Sequence, residues 1–414
     1  MLLIRDETRR SLEVIKTIWL NSSDSFPISL AEVPAEEKLY NEAYIDQIFD
    51  TYCQQQNNIP RLPFGRKKWS KKTEAFFMDL LSKEEIVGIH NAMKSQELTA
   101  FYTELVEFTR HARSFAPELS FEELGQAIRN YIVYAMFKVI NRINTGFSSA
   151  GYGYSMLYPF TDNYIDTVAN TLSEKQEYNQ LIRDTIEGKG VHFKNSYYKK
   201  TYLLLKAIEK EYNREETTGI YTLLLMILEA QEESISQQSK SNYLSLEQRL
   251  DISLWKGGVS VLVDRYLINK QLLDEDYLFY LSFGFFLQLA DDLQDIKEDS
   301  RNGNQTLFTL NLETAKEEKI VNKLLNFLQD IIDAYSAENN TFKNFVKKSS
   351  YYLIYSSIVR SREFFSADYL LQIEKLMPVT ATYLEKAQNG VKGKQDKKIQ
   401  KQQRKLLDCL IRYT

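Results

Sequence analysis

The sequence predicts an all-α protein, and three observations carry that expectation. Breakers are scarce, with 7 Pro and 15 Gly in 414 residues, while Leu, Glu, Lys and Gln are abundant. Apolar residues recur at helical spacing, most cleanly Ile128, Tyr131, Ile132, Met136, Val139 and Ile140. That stripe follows Ser120-Phe121-Glu122-Glu123, a capping box with Ser at the cap and Glu three residues on.

In chain order, residues 1 to 115 read as an irregular helical extension of unknown role. Leu12 to Trp19 is a short amphipathic piece. Pro27, Pro34, Pro60 and Pro63 punctuate the next stretch. Arg61 to Lys72 gathers Arg61, Arg66, Lys67, Lys68, Lys71 and Lys72 around Trp69. It reads as a solvated basic loop, with a phosphate or membrane-surface contact as the alternative. Glu74 to Arg113 predicts two helices. The capping box opens a helix through about Ile143. Gly146 to Gly153 reads as a turn-rich link, and a helix from about Ser155 to Leu172 has Pro159 near its start.

Helices are next expected over about Glu174 to Glu187, Tyr197 to Tyr212 and Glu216 to Ser236. Another spans Leu246 to about Asn269, interrupted by Lys256-Gly257-Gly258. A Gly pair there marks a bend or a close approach of backbone. Asp274 to about Asp299 is one helix, ended by the turn chemistry of Arg301-Asn302-Gly303-Asn304. Helices over about Thr314 to Tyr335, Thr341 to Phe365 and Asp368 to Gln388 complete the chain before a basic, amphipathic tail, residues 391–414. Leu406, Leu407, Leu410 and Ile411 give that tail a peripheral helix, with membrane-surface contact as an alternative. No internal repeat is evident.

Composition excludes several classes. A net charge of −4 gives no case for nucleic-acid binding. Two cysteines, Cys53 and Cys409, exclude a disulfide scaffold and point to a reducing compartment, so a cytoplasmic location is expected. Three scattered histidines, His90, His111 and His192, argue against a zinc site. The apolar run at Met1 to Ile4 is too short for a signal peptide, and no run of about 18 apolar residues predicts a membrane span. The 27 Tyr and 23 Phe read either as a compositional habit or as the lining of an aromatic cavity.

Chemistry concentrates in Leu287 to Asp299. Five carboxylates, Asp291, Asp292, Asp295, Glu298 and Asp299, fall within nine residues directly after an apolar run. Like charges at helical spacing destabilise a helix, so the cluster calls for a counter-cation, most simply Mg2+. At about 100° per residue, Gln288, Asp292, Asp295 and Asp299 share one stripe, and Asp291, Asp295 and Glu298 another. Asp295 belongs to both. Upstream, Asp162 and Asp166 lie about 40° apart on one helix face and can share a cation; an ordinary acidic pair on a solvated face is the alternative.

The stretch LQLADDLQD, Leu287 to Asp295, resembles the second aspartate-rich motif of the trans-prenyl diphosphate synthases, through Gln288, Asp291, Asp292 and Asp295. Its continuation through Asp299, Arg301 and Gly303 resembles the second motif of the squalene and phytoene synthases. The upstream TDNYID, Thr161 to Asp166, is similar to the first motif of the large bacterial terpene cyclases. All belong to the class I isoprenoid (terpene) synthase superfamily, and the likeness covers about residues 116 to 390.

That resemblance implies a terpenoid synthase-like helical bundle around a central cavity, three Mg2+ ions and an allylic isoprenoid diphosphate substrate. It places Asp162 and Asp166 on one metal-binding wall and Asp291 and Asp295 on the other, supported by Asp292 and Asp299. Lys256 and Arg301 would hold the diphosphate. The first motif lacks a doubled Asp and a downstream Arg pair, Thr167 following Asp166, which favours cyclisation over prenyl transfer or head-to-head condensation. A catalytically silent helical partner or lipid-diphosphate binder is the reading from another class. Peripheral membrane contact and a homodimer are both compatible with the sequence.

Overall fold

The computed structural model describes residues 2–27, 30–143, 146–167, 169–238, 243–310, 314–392 and 404–409, and those residues are all-helical, without a strand. The first five helices are α1 (Leu2–Asn21), α2 (Ala35–Asn57), α3 (Pro63–Lys83), the single turn α4 (Ile89–Ala92) and α5 (Ser95–Phe115). The basic segment read as a loop is therefore the first half of α3. Pro63 starts that helix at a position where a missing amide donor costs nothing.

The bundle continues with α6 (Phe121–Ile140), α7 (Ser149–Asp166), α8 (Leu172–Ile186), α9 (Ser196–Glu211), α10 (Thr218–Ser234), α11 (Leu246–Asn269) and α12 (Asp274–Gln294). It closes with α13 (Ile296–Asn302), α14 (Thr314–Ala334), α15 (Asn340–Arg360), α16 (Ala367–Leu376) and α17 (Ala381–Lys392). Ser120 caps α6 as expected: its hydroxyl accepts from the Glu123 amide, and the Glu123 carboxylate accepts from the Ser120 amide.

Two departures from the sequence reading have one physical cause. The glycines of Gly146 to Gly153 predict a link, yet α7 begins at Ser149, and Pro159 falls well inside it. A Cβ on Gly151 would sit 2.5 Å from the Tyr134 ring of α6, and one on Gly153 2.5 Å from the Leu204 carbonyl of α9. Likewise α11 runs unbroken through Gly257 and Gly258. A Cβ on Gly257 would lie 2.6 Å from the Gly284 carbonyl oxygen, and one on Gly284 only 2.2 Å from that of Gly257. Gly153, Gly257 and Gly284 let helices touch backbone, and Gly151 makes room for the Tyr134 ring. Their propensity cost, about 1 kcal/mol each, is offset by the packing it permits.

The close pair α11 and α12 is the spine of the molecule. Helix α10 flanks α11, while α14 and α15 flank α12; α6 and α9 pack on α7. The expected boundary near residue 115 is not a break in this core. Leu12, Ile15 and Trp19 of α1 belong to the main cluster, and Trp19 meets Phe285 edge-on at 5.2 Å. Glu104 of α5, fully buried, accepts from Tyr131 Oη and Lys138 Nζ, both at 2.8 Å, and from the Gly146 amide at 2.7 Å. A second, small cluster joins Ile59 and Trp69 to Leu406 and Cys409 of the tail helix, residues 404–409; Leu410 and Ile411 lie outside the described residues. No helix among the described residues is long and apolar enough to cross a membrane.

Candidate functional site

The acidic stretch of α12 does not continue as one regular helix to Asp299. The helix ends at Gln294, and Asp295 (φ −108°, ψ 14°) joins it to α13. The ladder still passes through the joint, since the Asp295 amide donates to the Asp291 carbonyl at 3.0 Å and the Asp299 amide to that of Asp295 at 2.9 Å. The carboxylates on either side of the joint remain electrostatically coupled. Asp299 and Asp291 push up the Asp292 carboxyl, and Asp291 and Glu298 push up that of Asp295. The opposite face, Phe283, Phe286 and Leu293, is core.

Burial is the larger force in every case. Asp292, 6% exposed, is pushed up to about 8 by desolvation, although its Oδ1 accepts from Gln288 Nε2 at 2.8 Å. Its Oδ2 is buried without a partner. Desolvation also lifts Asp295 and Asp299 to about 6 each. Asp295 is paired with Arg360 of α15 at 3.2 Å, and Asp299 accepts from Asn304 Nδ2 at 2.9 Å. The Asp291 side chain is reached by solvent while protein crowds around it, and desolvation raises its carboxyl too.

The charge of Asp162 reaches Asp291 and raises it. These two residues are far apart in sequence, on α7 and α12, and the tertiary structure brings them within electrostatic reach. Asp162 is held by Gln231 of α10, whose Nε2 donates to Oδ1 at 2.9 Å. The Asp166 side chain lies outside the described residues. Three cations oppose the acidic group at Asp291, namely Lys256 of α11, Arg129 of α6 and Arg360. Arg301 is exposed, and its charge acts on Glu363 beside Lys297.

Sequence reasoning missed Arg129, Arg360, Gln231 and Asp264. Asp264 had a signal: Lys256, Ser260 and Asp264 form one stripe at intervals of four through the apolar middle of α11. Asp264 is 5% exposed and makes no hydrogen bond or ion pair among the described residues, and burial holds its carboxyl well above the usual range. Its charge acts on Tyr154 and Tyr158 of α7; the Tyr154 hydroxyl donates to the Ser260 carbonyl at 2.8 Å. Arg129 and Arg360 carry no local pattern to find them by.

Six coupled carboxylates, Asp162, Asp291, Asp292, Asp295, Glu298 and Asp299, thus outnumber three cations. Hard oxygen donors in acidic excess suit Mg2+ better than zinc. Among the described residues, no three His, Cys, Asp or Glu side chains are gathered tightly enough to hold a metal ion by themselves. Mg2+ does not require such a cage, because it takes one or two carboxylates with waters and substrate phosphates as its other ligands. An enclosed volume of about 210 Å³ beside the buried Arg265–Asp276 pair (2.7 Å) sits at the other end of α12 and is no part of this group. A scan against family models and searches of curated proteins and of solved structures found no match.

Proposed function

We propose that this protein is a Mg2+-dependent class I isoprenoid synthase that ionises an allylic polyprenyl diphosphate and cyclises the chain. The observation that supports the reading is that the charges of Asp162 on α7 and of Arg129, Lys256 and Arg360 all act on Asp291 of α12. Bound Mg2+ would neutralise charge building on a departing diphosphate. Asp162, Asp166, Asp291 and Asp295 would hold the ions, with Asp292 and Asp299 behind them. Arg129, Lys256 and Arg360 supply positive charge for phosphate oxygens. Tyr154 and Tyr158 offer aromatic faces, which stabilise a carbocation without capturing it.

The test is incubation of purified protein with geranyl, farnesyl, geranylgeranyl and longer diphosphates plus Mg2+. Pyrophosphate release is expected with at least one, abolished by Asp162→Ala and by Asp291→Ala; silence with all of them refutes the reading. A catalytically silent diphosphate-binding protein is the second reading, favoured by Arg360 already pairing with Asp295. Binding of a non-hydrolysable diphosphate analogue without turnover would select it.

A further inference from the structure

Helix α3 carries a feature that the diphosphate site does not use. Its N-terminal half holds Arg66, Lys67, Lys68, Lys71 and Lys72, with Arg61 just before it, and no acidic residue lies between Asp50 and Glu74. The first turn contains no acid. Cations here crowd the positive end of the helix dipole, an arrangement that works against helix stability. The side chains of Arg61, Lys67, Lys68, Lys71 and Lys72 make no ion pair or hydrogen bond among the described residues.

The helix is firmly mounted. Trp69, Ser70 and Thr73 are buried on its inner side, and Trp69 Nε1 donates to the Gln55 carbonyl of α2 at 3.1 Å. Its outer side gathers Phe64, Lys67, Lys68, Lys71 and Lys72 within one arc of the helical wheel. At the tip, Phe64 is 82% exposed and Leu62 58%, flanking exposed Pro63. An apolar hook ringed by unpaired cations matches a bilayer surface, with acyl chains for the hook and phosphate headgroups for the ring. Groove or base readout of a nucleic acid would not call for an aliphatic and aromatic tip on a chain of net negative charge.

We propose that the outer face of α3, from Arg61 to Lys72, docks this protein on an anionic phospholipid bilayer, with Leu62 and Phe64 inserted. The proposal is independent of the diphosphate reading, and pyrophosphate release from a soluble substrate would not report on it. The test is co-sedimentation of the full chain with phosphatidylcholine vesicles, with and without about one third phosphatidylglycerol, at about 0.05 and 0.5 M salt. Binding to the anionic vesicles alone, weakened by salt, is expected. A triple variant Lys67→Glu, Lys68→Glu, Lys71→Glu should lose at least about tenfold in partitioning, since each basic group near such a surface is worth roughly fivefold. Phe64→Ser should weaken binding at both salt concentrations. All four side chains are exposed, so unchanged melting temperatures would show the variants folded. Failure to bind anionic vesicles, equal binding by folded variants, or preferential capture by a single-stranded oligonucleotide would each overturn the proposal.

Discussion

Replacing Gly284 by Ala places a methyl group where α11 and α12 touch. That carbon would lie 2.2 Å from the Gly257 carbonyl oxygen, 2.8 Å from its carbon and 3.0 Å from the Gly258 Cα. All three are backbone atoms, so no side chain can swing aside. Ordinary contact begins at 3.4 Å, and the helices must part by about 1.2 Å. Overpacking of this kind costs about 1–3 kcal/mol, and the absence of a yielding side chain puts Gly284→Ala at the upper end. For a chain of 414 residues, about 3 kcal/mol lowers the melting temperature by roughly 3 °C. The separation also shifts Lys256, next to Gly257, against Asp291 and the Gln288–Asp292 hydrogen bond, so Mg2+-dependent turnover should fall more than stability does. Calorimetry reads the first effect and pyrophosphate release the second. Gly125→Ala is the control: its methyl meets only Arg129 Nη1 at 3.6 Å, and loss of a mid-helix glycine should be neutral or stabilising. An unchanged melting temperature for Gly284→Ala would refute the argument that the glycines serve close approach.

Two further predictions concern protons. Asp295 and Asp299 titrate near 6 and Asp292 near 8 in the fold, all above the ordinary carboxylate range, so the folded state holds protons more tightly than the unfolded chain. Their stabilising contribution is full below about pH 4 and is lost as pH rises through 6 to 8. Without divalent cation, melting temperature should therefore fall across that window, and Mg2+ should raise it more at the alkaline end than at the acid end; equal shifts at both ends would argue against carboxylate ligation. Asp264→Asn should raise the melting temperature at about pH 8 and leave it unchanged near pH 4, because burial holds the Asp264 carboxyl neutral well above its usual range and the amide removes that proton-dependent cost. A loss at pH 8 would mean that Asp264 has a stabilising partner as an anion.

Much of the helical layout is legible locally. The Ser120–Glu123 box, the apolar stripe of α6 and the sudden acidity after Ala290 are all short-range patterns, and the structure places each in a helix. The misreadings cluster at residues whose role depends on a distant neighbour. Gly151 and Gly153 look like breakers until Tyr134 and Leu204 lie against them, whereas the close approach expected at Gly257 is met by Gly284. Pro159 reads as a helix start, and the chain absorbs it inside α7. Trp19 looks peripheral until Phe285 and Phe327 enclose it.

By itself, the sequence determined the helical class and the Ser120–Glu123 cap, because each depends on spacing along one helix. It could gather Asp291, Asp292, Asp295 and Asp299 in one short stretch. It could not set the opposing charges, because Arg129, Arg360 and Gln231 reach the group from three other helices and carry no periodic signature. Only the tertiary fold brings the charges of Asp162 and Lys256 to bear on Asp291 and that of Arg301 on Glu363. The reason is physical: periodicity fixes which face of a helix is buried, and only the close contacts between helices fix what that face meets.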